Sequence, residues 1–397
     1  MNIHLVIKKS FLLVINFINS IYPKSSCQMT FISYPDLSDN SFALFKYILE
    51  SLPEKYTITW LIHDIKDKNK YIELCANNIN VDNTVLNNIL FVNRLSIYGL
   101  LQFVKSKYVF FTHGIINDLK VSKNQILVNV WHGMPVKTIG GLASNDITAC
   151  SYAIATSTFY QKIMAKAFHL DTKNILLTGQ PRCDLLLAPS NCLKNFNISK
   201  SDYSKIIFWA PTYRRAKGIN YNDDFATNGF SIIDLENLEE FNTFLKTLNT
   251  FLFIKLHPLD ILNDENFNNL SNIMILKSED LLNHNCQLYS LLAEVDILLT
   301  DFSSIYIDFL LTQKPIFFVV EDSSIFHKPD YIGSLFDDPI SLMPGKIIDS
   351  YSDLQSSLTN LIVDKNDPYQ EPRKKVNEQF NNIKKDFSKN LVKALKI

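Results

Sequence analysis

The chain has 397 residues, 47% of them hydrophobic and 20% charged, with a formal net charge of −1. That is too long for one ordinary core and suits two domains, and the composition excludes a disordered or fibrous chain. The near-zero charge gives no electrostatic ground for nucleic-acid binding.

Six cysteines (Cys27, Cys75, Cys150, Cys183, Cys192 and Cys286) are scattered without a CxxC pair. Their spacing argues against structural zinc, their even number in so long a chain does not argue for disulfides, and the expected compartment is reducing.

Residues 1–24 are rich in apolar side chains but carry Lys8 and Lys9, and their uninterrupted apolar run is only Phe11–Ile15. A bilayer span needs roughly 20 apolar residues, and no small-residue cleavage pattern follows. Two readings stand: an amphipathic helix in a membrane interface, or a helix packed on the first domain.

Next come apolar, β-branched and aromatic runs at Met29–Ser33, Thr57–Ile62, Ile89–Val92, Tyr108–Thr112, Ile126–Trp131, Tyr152–Thr156 and Ile175–Leu177. The series resumes at Ile206–Ala210, Leu252–Leu256, Ile273–Leu276, Val295–Thr300 and Ile316–Val320. Helical patterns lie between them, among them Ser41–Ser51, Thr158–Phe168, Leu235–Leu248 and Ile305–Thr312. Strands that are apolar throughout and alternate with helices predict parallel sheets covered on both faces, hence an α/β fold. The polar stretch Ala188–Lys205 marks the boundary between two Rossmann-like domains facing a cleft, spanning 25–187 and 205–365. Residues 366–397 read as a final basic helix: from 371 onward, eight basic residues stand against three acidic ones. A solvated face explains this, as would contact with anionic lipid.

Chemically useful residues collect where these strands end. The fifth run leads into Trp131-His132-Gly133-Met134-Pro135, with Lys137 just beyond. A histidine placed there, with an ordinary pKa near 6.5, is suited to accept a proton. A second strand ends in Lys255-Leu256-His257-Pro258, so each domain presents one strand-end histidine. Asp301-Phe302-Ser303-Ser304 runs into a helix whose capping serines and free amides would make an anion site. Thr212-Tyr213-Arg214-Arg215 follows a strand end with a guanidinium able to grip phosphate, and Gly179-Gln180-Pro181-Arg182-Cys183-Asp184 presents another arginine and an aspartate. Each motif alone also has an ordinary structural explanation. Walker A, G-x-G-x-x-G, G-x-S-x-G and zinc-ligand spacings are absent from the sequence.

Together, WHGMPVKTIG (131–140), ATSTFYQKIMAKAF (155–168), TGQPRCDLLL (178–187), APTYRR (210–215), KLHP (255–258) and LLAEVDILLTDFSSIYIDFLLTQKPIFFV (291–319) resemble the CDP-glycerol glycerophosphotransferase family, the primases and polymerases of teichoic acid and their capsule-synthesis relatives. SDNSFALFKYI (38–48) is similar to the opening helix of that domain. The resemblance covers residue 28 to the C-terminal region. It implies a GT-B-like fold, a CDP-alcohol donor with CMP as leaving group, no metal and no cofactor. It also implies peripheral attachment to the cytoplasmic face of the cell membrane, where a lipid-linked or polymer hydroxyl acceptor is presented. By the same resemblance His132 is the base, and His257, Thr212, Arg214, Ser303 and Ser304 contact the donor phosphates; Gly133, Lys137, Arg182, Asp184 and Asp301 complete the expected site. Many members carry an Arg-Gly-Phe segment where this chain has Tyr331-Ile332-Gly333-Ser334-Leu335-Phe336, which leaves the polyol open between glycerol, ribitol and another alcohol. A GT-B glycosyltransferase using a nucleotide sugar, or a non-catalytic subunit of a capsule assembly, are the alternatives.

Overall fold

The computed structural model describes residues 13–53, 55–114, 120–211, 229–230, 232–234, 237–255, 270–320 and 334–397. Strands β1 (Ser25–Ile32), β2 (Thr57–Ile62), β3 (Leu90–Asn93), β4 (Ser106–Phe111), β5 (Ile126–Asn129), β6 (Tyr152–Ala155) and β7 (Ile175–Leu177) form one sheet in the order β3-β2-β1-β4-β5-β6-β7. All its pairings are parallel. Helices cover both faces, which is why the strands carry apolar side chains throughout rather than in alternation. On one face Phe31 of β1 packs against Phe45, Trp60 and Phe110, with ring centroids 5.0 to 5.6 Å apart; such aromatic contacts add to the burial of their area.

The second sheet uses β8 (Lys205–Ala210) and, after a small antiparallel hairpin of β9 (Gly229–Phe230) and β10 (Ile233–Asp234), β11 (Thr250–Lys255), β12 (Ile273–Leu276), β13 (Ile297–Thr300), β14 (Ile316–Val319) and β15 (Lys346–Ile348). Its order is β12-β11-β8-β13-β14-β15, again parallel. The strand order of each sheet reverses beside its first strand, at β1/β4 and at β8/β13, and ligands of such sheets bind outside the strand ends at that point.

One cluster of buried apolar residues runs from the first sheet through Leu291, Leu292, Tyr306, Phe309 and Phe380 into the second, so the two units are closed against each other. The expected single C-terminal helix is instead two, Gln370–Phe380 and Phe387–Leu395. The break is held by Asp386 in the left-handed region, at φ 57°. Both helices return to the first sheet's unit: Asn382 donates its backbone N–H to Thr156 at 2.9 Å, and Asp184 accepts from the N–H groups of Phe387 and Ser388 at 3.0 and 2.8 Å. The basic face is not wholly solvated either, because Arg373 is 1% exposed and paired with Asp367. Cys192 and Cys286, 94 residues apart, form a disulfide. This corrects the expectation drawn from spacing: the segment between the sheets lies against the helix Leu288–Glu294, where Leu193 N–H bonds Glu294 at 3.1 Å.

Residues 13–21 are helical and lie on the first sheet's unit. Ile15, Ile18 and Tyr22 pack on its core, and Asn19, 1% exposed, donates to the Lys120 carbonyl and to Gln125.

Candidate functional site

β5 stops at Asn129, whose side chain accepts the Trp131 N–H at 3.0 Å, and the chain then turns sharply. Trp131 has φ +48° and Gly133 φ +133°. A bulky residue at positive φ is strained and persists only where its surroundings over-determine it; here the Trp131 ring packs edge-on against Phe168 at 4.8 Å. The turn carries His132 back toward the end of β4. Its Nδ1 lies 3.2 Å from the Thr112 carbonyl, and its ring stacks on His113 at 3.8 Å with the planes 8° apart. A carbonyl only accepts, so the network assigns the proton to Nδ1 and makes Nε2 the unprotonated ring nitrogen. Burial, and then the neighbouring His113, push the His132 pKa down to about 3. The ring is therefore neutral, the form a base requires.

Gly133 brings this turn against the other unit. A Cβ at this position would lie 2.2 Å from Ser304 Oγ and 2.8 Å from an Arg182 guanidinium nitrogen. Ser303 and Ser304 precede the helix Ile305–Phe309, and the Ser303 hydroxyl receives the Ile305 N–H at 3.5 Å. The helix expected to run to Thr312 tightens to a 3-10 turn from Leu310. Lys137 and Asp301 flank the same seam, where a pocket is lined by Lys137, Asp301, Phe302, Tyr306, Ser334 and Phe336. Burial lowers the Lys137 pKa, and Asp301 opposes that shift. The Lys137 ammonium sits 6.0 Å from the Phe302 ring centre, and Leu335 N–H bonds the Val136 carbonyl at 3.0 Å, tying the units together beside the pocket.

His257, Thr212 and Arg214 lie outside the described residues. The strands before them do not: Thr300 Oγ1 bonds the Ala210 carbonyl at 3.2 Å, and β11 runs beside β8 to Ile254.

Two expected site residues have their polar groups engaged within the protein. Arg182, 4% exposed, directs Nε and Nη2 to Asp308 at 3.0 and 2.6 Å and Nη1 to Asp39 at 2.9 Å. Asp184 receives the first backbone amides of the helix Phe387–Leu395. Conversely, residue-by-residue reading passed over His113, Asn40 and Asp308. His113 ends an apolar strand just as His132 does and could have been found by the same rule; Asn40 and Asp308 sit within ordinary helical patterns and gave no signal.

Two parallel Rossmann-like sheets closed over a cleft, with polar residues of both meeting at the strand ends, define a GT-B-like architecture. The chain belongs to the CDP-glycerol:poly(glycerophosphate) glycerophosphotransferase family, which it matches over residues 14–395. A teichoic acid poly(glycerol phosphate) polymerase of Bacillus spizizenii is 26% identical over 344 residues, 80% of this chain and 79% of that protein. A teichoic acid poly(ribitol-phosphate) polymerase of the same organism is 29% identical over 257 residues, 59% of this chain and 39% of that protein. In fold, the chain resembles the wall teichoic acid polymerase TagF with a TM-score of 0.71 at 19% identity, over 98% of this chain and 94% of that one. The chain spans half or less of the length of six of the curated relatives it matches.

Proposed function

We propose that this chain transfers a polyol phosphate, glycerol phosphate first among candidates, from a CDP-alcohol to a hydroxyl acceptor in the synthesis of a teichoic-acid-like or capsular polymer. The observation that carries the reading is the neutral His132, anchored through Nδ1, on a turn that touches Ser304 across the cleft. The acceptor oxygen attacks the polyol-bearing phosphorus of the donor, the bond to the CMP oxygen breaks in line, and Nε2 of His132 takes the acceptor's proton. Phosphoryl transfer of this kind depends mainly on positioning and on offsetting negative charge. Ser303 and Ser304 supply donors to the phosphates, as do Thr212, Arg214 and His257 in this reading, with Lys137 and Asp301 at the adjoining pocket.

The acceptor is placed at a membrane surface by the N-terminal helix. One face of it packs on the protein, while Leu13, Val14, Phe17 and Ile21 are 56 to 69% exposed. The helix Ile97–Lys105, whose Val104 carbonyl receives the Lys24 ammonium at 2.7 Å, also exposes Ile97, Tyr98 and Leu101. Among the described residues no helix is long and apolar enough to cross a membrane. Exposed apolar side chains backed by a folded unit suit peripheral docking, on the cytoplasmic face in this proposal.

Purified protein incubated with CDP-glycerol, CDP-ribitol and a control nucleotide sugar tests the reading. CMP release dependent on an acceptor is expected. Release of a nucleoside diphosphate from the sugar donor would transfer the chain to the glycosyltransferases, and turnover of no donor would leave a non-catalytic subunit.

A further inference from the structure

A buried polar network lies beneath the cleft. Asn40 is fully buried, and its Nδ2 donates to the carbonyls of Val130 and Trp131 at 2.9 and 3.0 Å, the two residues before His132. Its Oδ1 accepts the Arg182 N–H at 3.0 Å. The Arg182 guanidinium lies 4.5 Å from the centre of the Tyr289 ring and forks onto Asp308. Asp308 is fully buried and also accepts from Tyr289 Oη at 2.6 Å and from Gln180. It belongs to the short helix that starts directly after Ser304. An unbroken line of contacts therefore runs from the backbone of the His132 turn to the helix presenting Ser303 and Ser304.

We propose that Asn40 and the Arg182–Asp308 pair are positioning residues, which lock the His132 turn of one unit to the serine-bearing helix of the other and so fix the separation of base and phosphate site. Three observations support this. Trp131 holds a positive φ that an unrestrained turn would abandon, and Asn40 grips the carbonyls on both sides of it. Asn40 has both ends of its amide engaged and no exposure, so it takes no part in binding substrate. The Arg182 fork faces two carboxylates and an aromatic ring, which is the setting of a tether rather than of a phosphate clamp. A catalytic group displaced by about 1 Å costs about 10²-fold in rate. The proposal rests on His132 being the base of the proposed transfer.

The experiment uses the full chain with selectively ¹⁵N-labelled histidine. Asn40→Ala is expected to lower kcat for CMP release by about 10²-fold, leave CDP-glycerol affinity by calorimetry within about twofold, and replace the single Nδ1–H tautomer of His132 by averaged ring signals. Arg182→Lys is expected to do the same. Breaking one member of a buried pair can prevent folding, whereas replacing both by apolar residues is often tolerated. The double variant Arg182→Met/Asp308→Leu therefore gives a folded protein without the tether, and the same kcat loss is expected. Unchanged His132 ring signals in these variants, or a rate loss matching only the loss of folded protein, would overturn the positioning role. A drop in CDP-glycerol affinity of more than tenfold in Arg182→Lys, with the ring signals unchanged, would make Arg182 a phosphate ligand instead. If the wild type turns over no CDP-alcohol, the transfer reading fails, but the ring signals still decide whether the network holds His132.

Discussion

In the proposed transfer, His132 couples stability to chemistry. Its pKa is pushed down to about 3 in the folded chain, against about 6.5 for an unperturbed imidazole. Between those two values the unfolded chain binds the extra proton, so this residue's contribution is intact above about pH 6.5 and is lost progressively as the pH falls toward 3. Melting temperature measured from pH 7.5 to 4.5 should therefore decline less steeply in His132→Asn than in the wild type; parallel curves would show that the ring is not held neutral by burial. For catalysis, His132→Ala should reduce CMP release by about 10²–10⁴-fold, the usual worth of a general base, with CDP-glycerol still bound in calorimetry. His132 was legible in sequence because an apolar run ending in His-Gly-Met-Pro has one structural outcome, a strand and a tight turn. The arrangement of Arg182 was not, because its partners Asp39 and Asp308 lie more than a hundred residues away in opposite directions along the chain. Local chemistry shows an arginine after a turn, and only the fold shows what it grips.

At the scale of elements, the tight junctions depend on glycine. Gly133 has φ +133° and meets Ser304, while Gly179, at φ +72°, leaves its would-be Cβ only 2.3 Å from the Phe387 ring. Gly133→Ala should cost about 1–3 kcal/mol in backbone strain alone and push the His132 turn away from the serine-bearing helix. A lower melting temperature and weaker CDP-glycerol binding are the expected results; wild-type values for both would mean that the cleft is wider in solution than the contact with Ser304 implies. The predicted strands agree with the observed ones to within one or two residues at most ends, since parallel, doubly covered strands leave an apolar signature that is hard to miss. β15 escaped notice because it begins with Lys346 directly after Pro344 and Gly345, a pair that reads as a turn, and adds only two apolar residues. The break between the two C-terminal helices was also hidden, since a residue such as Asp386 adopts the left-handed region for reasons of packing that the sequence does not display.

For the whole molecule, the division into two sheets was legible and their closure was not. The apolar surface that joins the units is assembled from Phe159, Phe336 and Phe380, whose rings lie 5.5 to 6.2 Å apart although they come from three separate parts of the chain. Residues 13–21 take one of the two roles that the sequence left as alternatives, packing one face on the first unit, and they expose the other face. This determines how membrane docking should be tested. Removing residues 1–24 would also remove Asn19 and Lys24, which hydrogen-bond to Gln125 and to the Val104 carbonyl, and the first unit would be damaged whatever the exposed face does. Phe17→Asp with Ile21→Asp changes only side chains that are 65% exposed, so the double variant should fold and melt like the wild type. Burying one such side chain fully is worth about 1.5–3 kcal/mol, and introducing two carboxylates adds repulsion from anionic lipid. Sedimentation with anionic vesicles should therefore be largely lost, and transfer to a lipid-linked acceptor should slow while a soluble acceptor is used at nearly the original rate. High salt should weaken wild-type binding only in part, because the apolar contribution is not screened. Wild-type sedimentation of the double variant would move the membrane contact to another face of the molecule.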